Sequence, residues 1–310
     1  MKIIILFLLI LSVLFIKQTK QKKQTKKIVT LNVGYYLLGG FIENGSSIME
    51  IICKKILNKL SIYNPDIICT QEDLISDYPI FKDIYAEYGY RVVNFCVSHP
   101  KLSNDKYIRE KYGLTKLGNV IYAKENITKY ITIPDLDVGS SKGGCYIKPR
   151  CATSIIINNI IIFNTHLCGG RYDDKFVAQN KINSNSKEKQ VMNILKYKPD
   201  IIIGDFNAGY TDDYKFAESL SKNLDKQNFK NWNESVIEFI LKNGYKSALK
   251  NYKNEQTTIR GNFVVDWIFY NNNVNVSNTQ IIKFYDSYEI LPDTNEILSD
   301  HNALFTEIIF

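Results

Sequence analysis

Apolar positions recur along the chain in two periods, and together they predict strands interleaved with helices. Short β-prone runs at 28–33, 90–97, 118–123, 127–133 and 275–284 read as strands. "PDIICTQE" (65–72) and "PDIIIGDFN" (199–207) are two strands of one kind, each an apolar run that stops at polar residues. "CATSIIINNIIIFNTHL" (151–167) reads as a hairpin turning at Asn158–Asn159, residues suited to a tight turn. "VVDWIFY" (264–270) and the run from Asn302 to Ile309 add two more. Helical spacing appears after a capping serine in "NGSSIMEIICKKILNKL", where Ile48, Ile51, Ile52, Ile56, Leu57 and Leu60 share a face. Further helices are expected near 77–88, 175–197 and 232–243. Strands come in runs with helices between only some of them. That order predicts an α/β sandwich, two sheets with helices outside, and not a regular βαβ wheel.

The first residues follow neither period. Ile3–Ile16 is apolar all round, and Lys17–Lys27 is polar and Lys-rich. The run has the length of a signal-peptide core and falls short of the ~20 residues that comfortably span a bilayer. No small-x-small cleavage site follows. The expectation is an uncleaved, single-pass membrane anchor at 1–16 and a Lys-rich linker at 17–27 able to touch anionic lipid, with a cleaved secretory signal as the alternative. A folded domain is expected over 28–310, monomeric by itself.

Charge sharpens this division. The formal charge is +7, but seven lysines and no acid lie in 1–27, so 28–310 carries 32 basic and 32 acidic residues. Bulk charge therefore excludes a generic polyanion binder, although "HPKLSNDKYIREKYGLTK" (99–116) is a basic, Tyr-containing segment that suits either a nucleic-acid strand or a solvated loop. The six cysteines contain no CxxC pair, which argues against zinc-ribbon or thioredoxin-like chemistry. Cys53 and Cys69 fall in apolar runs and read as core. An even count permits disulfides without arguing for them.

The candidate chemistry lies at strand ends: "LNVG", "TQED", "NTHL", "GDFN" and "SDHN". Asp266 sits inside an aromatic and β-branched strand, where a carboxylate is costly unless paired. With the strands side by side, Asn32, Glu72, His166, Asp205, Asn207, Asp266, Asp300 and His301 converge at one edge of the sheets. Each has a plainer reading alone: a capping acid at Glu72, an Asx-turn at Asp205–Asn207, a backbone-paired core acid at Asp266, a simple turn at Asp300–His301. Read together, a hard carboxylate with an amide oxygen suits Mg²⁺, and His is too scarce for zinc. An acid beside an imidazole fixes its tautomer or its charge. A further carboxylate can orient a water. This inventory fits hydrolysis of a phosphate ester.

In this order, "LNVG", "PDIICTQE", "GNVIYAKE", "NTHL", "GDFN", "VVDWIFY" and "SDHNALF" make the chain resemble the endonuclease/exonuclease/phosphatase superfamily of DNase I-like fold, in its two-histidine branch, over 28–310. The resemblance implies a four-layered α-β-β-α sandwich of two mixed sheets. It implies Glu72 as the principal Mg²⁺ ligand (Mn²⁺ possible), with Asn32 nearby and Asp300 assisting at the metal or its waters. It implies Asp205 as the residue that activates water, Asn207 as a phosphate holder, His301 supported by Asp266 as transition-state stabiliser, and His166 as the first histidine of the pair. Arg171, Arg150 and Asn119 are the substrate-binding candidates. Many members carry a polar residue two places after the first-strand Asn; here it is Gly34, which puts a second metal position in doubt. The expected activity is a phosphodiesterase acting on nucleic acid, a phosphotyrosyl-DNA link or a lipid headgroup. The alternatives are a phosphomonoesterase, such as an inositol-phosphate phosphatase, and an inactive membrane-tethered binding module.

Overall fold

The computed structural model describes residues 23–34, 46–76, 78–97, 117–136, 150–167, 180–210, 226–250, 252, 255–258, 264–284 and 298–310. Among these residues the strands make two six-stranded mixed sheets. The first runs β11 (Asn275–Ile282), β12 (Ala303–Ile309), β1 (Thr25–Asn32), β2 (Ile67–Asp73), β4 (Gly118–Ala123), β3 (Arg91–Val97). The second runs β5 (Thr132–Ile133), β6 (Ala152–Ile157), β7 (Ile160–His166), β8 (Ile201–Asp205), β10 (Asp266–Tyr270), β9 (Lys246–Ser247).

Period-two alternation explains the layering. Along β1, β2 and β4, Val29, Leu31, Ile68, Val120 and Tyr122 pack with Met49, Ile52 and Ile56 of α1 (Ser46–Ser61) and Phe81 and Ile84 of α2 (Ile80–Glu87). The alternate residues Ile28, Ile67, Cys69 and Ile121 face the second sheet, whose own core reaches Val191 and Ile194 of α3 (Asn180–Leu195) and Ile237 and Ile240 of α4 (Lys226–Lys242). The result is the four-layered α-β-β-α sandwich expected. Strands buried on both faces read as continuous apolar runs, which is why "IIIG" and "PDII" carry no polar alternation.

The two sheets repeat one plan. Each centres on a parallel pair, β1–β2 and β7–β8, joined through a helix, with antiparallel neighbours on both sides. The recurring "PD" closes each pair at its start. The Asp66 carboxylate accepts the Lys27 N–H at 2.8 Å and its N–H donates to the Lys27 carbonyl; Asp200 does the same with Ile161 at 2.9 Å. Both strands would otherwise begin with an unpaired amide. The Asn158–Asn159 turn is as expected, with φ of 50° and 66°, the left-handed pair that a two-residue hairpin needs.

Several bounds differ from the sequence reading: the strand read at 127–133 is only Thr132–Ile133, and the helix read near 232–243 begins at Lys226. Strand β1 begins at Thr25, not Ile28: Thr25, Lys26 and Lys27 pair with Ile309, Ile308 and Glu307, and Lys26 reaches Glu125 at 2.9 Å. Lysines at the open end of a strand hide it from a hydrophobic pattern. The single-pass anchor is also corrected: among the described residues no helix is long and apolar enough to cross a membrane. The expected anchor at 1–16 itself lies outside the described residues.

Candidate active site

Strand register aligns the site. Across the second sheet, His166 of β7 lies opposite Asp205 of β8, which lies opposite Asp266 of β10. Residues opposite one another share a face, so all three side chains point at the first sheet. From that sheet come Asn32 at the end of β1, Glu72 in β2, and Asp300–His301 just before β12.

The two sets meet around one oxygen. Asp205 Oδ2 accepts from Asn32 Nδ2 at 2.9 Å and lies 3.3 Å from His166 Nε2 and 3.9 Å from His301 Nε2. Its other oxygen accepts the Asn207 N–H at 2.7 Å. His301 Nδ1 is bonded to Asp266 Oδ2 at 2.8 Å, and both residues are buried. Burial works against charge on His301, but Asp266, Asp300 and Asp205 outweigh it and raise its pKa. Burial likewise pushes Asp266 up while the imidazolium beside it pulls it down. The two groups are coupled, and the carboxylates around the ring favour the imidazolium form.

Glu72 reaches the cluster through an irregularity. Strict alternation sends it to the helix side with Ile68. The β2–β4 register shifts between Thr70 and Asp73, and Glu72 adopts φ 55°, a left-handed conformation unusual for its type. Its Oε1 therefore lies 4.0 Å from His166 Nε2. Burial first, then Asp300, pushes the Glu72 carboxyl up to about 7, against the pull of His301 and Arg150. Asn207 is left-handed too, with φ 47°. Such local strain concentrates where side chains must be aimed.

Gly34 explains the departure noted in the sequence. Its φ is 58°, and a Cβ there would collide with Asp300 Oδ1. The Asp300 carboxylate takes the space of the missing side chain, and Ser299 fixes the turn by donating to the Asn32 carbonyl at 2.6 Å.

Beneath the site, Gln71 spans the sheets. Its amide donates to Thr30 at 2.9 Å and to Asn164 Oδ1 at 2.7 Å, while the Asn164 amide donates to the Thr70 and Val120 carbonyls. Gln71 precedes Glu72 and Asn164 lies two residues before His166, so this buried bridge sets the spacing of the two sheets' functional residues.

Four further residues complete the description. Arg150, one of the two arginine candidates in the sequence, is buried with Nη1 3.2 Å from His166 Nδ1. Arg171 and the segment 99–116 lie outside the described residues. Asn119 has a different place from the substrate contact expected of it: it is fully buried and donates to the Cys151 carbonyl at 2.8 Å. Lys187 of α3 escaped the sequence reading. It is buried, donates to the Asn207 carbonyl, and burial lowers its pKa well below the ordinary lysine value. A lysine on a helix with no clear apolar face gives no sequence signal.

Asp205, Asp266 and His301 present ligand atoms within 4.8 Å of one another, a spacing that fits a cation. The charge on His301 and its bond to Asp266 argue against that trio. Glu72 and Asp300 fit better: they are oxygen donors whose mutual repulsion raises the Glu72 pKa, and a divalent cation between them relieves it.

A model of the Endonuclease/Exonuclease/phosphatase family matches residues 49–301. No curated protein matches the chain. Among solved structures, the chain is similar to an endonuclease/exonuclease/phosphatase from Beutenbergia cavernae DSM 12333, with 13% identity, a TM-score of 0.62, and coverage of 92% of this chain and 71% of that one. It is similar to the human Nocturnin catalytic domain with bound sulfate, at 18% identity, TM-score 0.54, and 94% and 97% coverage. It is also similar to a mannosyl-6-phosphatase from Bacteroides thetaiotaomicron, at 14% identity, TM-score 0.56, and 92% and 100% coverage. At such identities the likeness is one of fold.

Proposed function

The chain belongs to the endonuclease/exonuclease/phosphatase family and is a hydrolytic enzyme, and from that premise we propose that it hydrolyses a phosphodiester with the help of Mg²⁺, by direct attack of a water oriented by Asp205. The observation that carries this reading is the convergence on Asp205 Oδ2 of Asn32, His166 and His301, with Arg150 and Asn207 alongside. A carboxylate so surrounded is held in one orientation. A water hydrogen-bonded to it faces a ring of donors suited to the oxygens of a phosphate.

Roles follow from position. Asp205 holds the attacking water and takes its proton. His301, kept charged by Asp266, donates from Nε2 to the oxygens on which negative charge builds. Asn207 and Arg150 hold non-bridging oxygens. His166 has Arg150 3.2 Å from Nδ1, and its Nε2 lies 2.9 Å from the Asn207 amide and 3.3 Å from Asp205 Oδ2, so the ring links these two donors to the Asp205 carboxylate. Glu72 and Asp300 would hold the Mg²⁺, with the Asn32 amide oxygen adjacent; when bound, it supplies Lewis-acid charge to a phosphate oxygen.

The diester reading rests on a body with no bulk positive charge, which suits the single negative charge of a diester better than the near-dianion of a monoester. The test is hydrolysis of bis(4-nitrophenyl) phosphate against 4-nitrophenyl phosphate, with Mg²⁺, Mn²⁺ or EDTA. Diester turnover restored by Mg²⁺ and abolished by EDTA is expected. Preference for the monoester would transfer the reading to a phosphatase, and turnover after exhaustive chelation would overturn it. A panel of single-stranded DNA, RNA, 5′-phosphotyrosyl DNA, sphingomyelin and inositol phosphates then identifies the leaving group.

A further inference from the structure

Arg150 stands two residues before β6, directly after residues outside the described set, yet its guanidinium is buried against His166. A strand end is where a chain frays, and an arginine has several rotors to immobilise. Three tethers oppose this. The Arg150 carbonyl accepts from Leu136 N–H at 2.7 Å. The next residue, Cys151, accepts from Asn119 of β4 at 2.8 Å through its carbonyl. Its sulfur is bonded to Cys96 of β3, with the Cα atoms 6.2 Å apart. Both tethers on Cys151 come from the first sheet, so the bond crosses the sandwich.

We propose that the Cys96–Cys151 disulfide, with Asn119, is a positioning device for the active site: it fixes the start of β6 so that Arg150 is presented to a phosphate oxygen beside His166. A disulfide placed only for stability would serve anywhere that closes a long loop. This one is seated on the residue next to the buried arginine, at a point already held by a hydrogen bond from the same sheet. The described Cys53 and Cys69 remain thiols in the core and take no part.

The inference rests on the phosphoester reading for its consequence, and the experiment separates the two. The full chain is compared oxidised, after dithiothreitol (which delivers two electrons and two protons to give two thiols and its own cyclic disulfide), and as Cys96→Ala/Cys151→Ala. Each form is checked for folding by near-ultraviolet circular dichroism. Two quantities are read: the Kd for inorganic phosphate by calorimetry, and KM and kcat on bis(4-nitrophenyl) phosphate. Opening the bond should weaken phosphate binding and raise KM by about tenfold, the scale of one charge-assisted hydrogen bond. Asn119→Ala, which leaves the disulfide bond in place, should move both in the same direction. In an Arg150→Ala background, opening the bond should change neither by more than about twofold, since the arginine it serves is gone. An unchanged phosphate Kd in the folded, opened protein overturns the proposal, as does an equal loss in the Arg150→Ala background. Phosphate binding that follows the disulfide in a protein that hydrolyses no ester would sink the hydrolase reading and leave the positioning role standing.

Discussion

Glu72 is the residue whose setting says most about a cation. Its side chain keeps 20% exposure, yet burial of its surroundings and the Asp300 charge push its carboxyl up to about 7. Binding a divalent cation there requires the ionised form. Below about pH 7 binding must therefore expel a proton, and apparent affinity should fall about tenfold per pH unit, levelling off above 7. Calorimetric Mn²⁺ titrations from pH 5.5 to 8.5 check this; a flat profile would remove Glu72 from the ligand set. The stability consequence has a definite sign. The folded pKa is raised, so in the metal-free protein this group contributes stability below the ordinary carboxylate range and loses it as pH rises through 7. The Tm of the metal-free form should decline over that window relative to the Mg²⁺-loaded form. His301 has the opposite character, a histidine held charged by three carboxylates, and it should stay protonated across neutral pH. The sequence could name these residues, because "QE", "GDFN" and "SDH" are types that stand out at strand ends. It could not show their electrical state, which depends on how near Asp266, Asp300 and Asp205 come across strands far apart in the chain.

Elements, not residues, decide which side chains meet. The register of β7, β8 and β10 puts His166, Asp205 and Asp266 on one line, and sequence periodicity implied as much once the strands were placed. The β2 irregularity was not legible, because a left-handed Glu72 contradicts the alternation by which strands are recognised. The place of Gly34 was visible only as a departure; its cause, the Asp300 carboxylate, comes from 266 residues along the chain and needs the folded sheet to be seen. The Gln71–Asn164 bridge was equally hidden, since a buried amide between sheets looks in sequence like any polar residue at a strand end. Gln71→Leu strips both Thr30 and Asn164 of a donor, so it should cost about 1–3 kcal/mol of stability, read as a lower Tm. It should also lower kcat by about tenfold at a temperature where the protein is folded, because loosened sheets misplace reacting groups. A lower Tm with unchanged kcat would make the bridge merely structural.

At the scale of the molecule, two sheets of one plan face each other, each built on a parallel pair that opens with "PD" and ends in functional residues: Asn32 and Glu72 from one, His166 and Asp205 from the other. The repeated "PDII" was the visible trace of that plan in the sequence. The sandwich was legible because strands buried on both faces are unmistakably apolar. Strand β1 starts three residues before its apolar run, and the membrane anchor was corrected by the absence, among described residues, of a helix able to span a bilayer. The cross-sheet disulfide was not legible, because six cysteines allow many pairings and spacing alone selects none. What the two sheets jointly make is a buried acid–imidazole pair beside the Asp205 carboxylate, which we propose orients the water, and the account stands or falls on that pair. The direct test is kcat for bis(4-nitrophenyl) phosphate, with saturating Mg²⁺, in wild type, His301→Ala, Asp266→Asn and the double variant, each shown to be folded. His301→Ala should lower kcat by at least ~10²-fold with KM little moved. Asp266→Asn should lose less, and the double variant should be scarcely worse than His301→Ala, as residues acting as a unit are not additive. Near-normal turnover by folded His301→Ala protein would contradict the account and return "SDHN" to a simple turn.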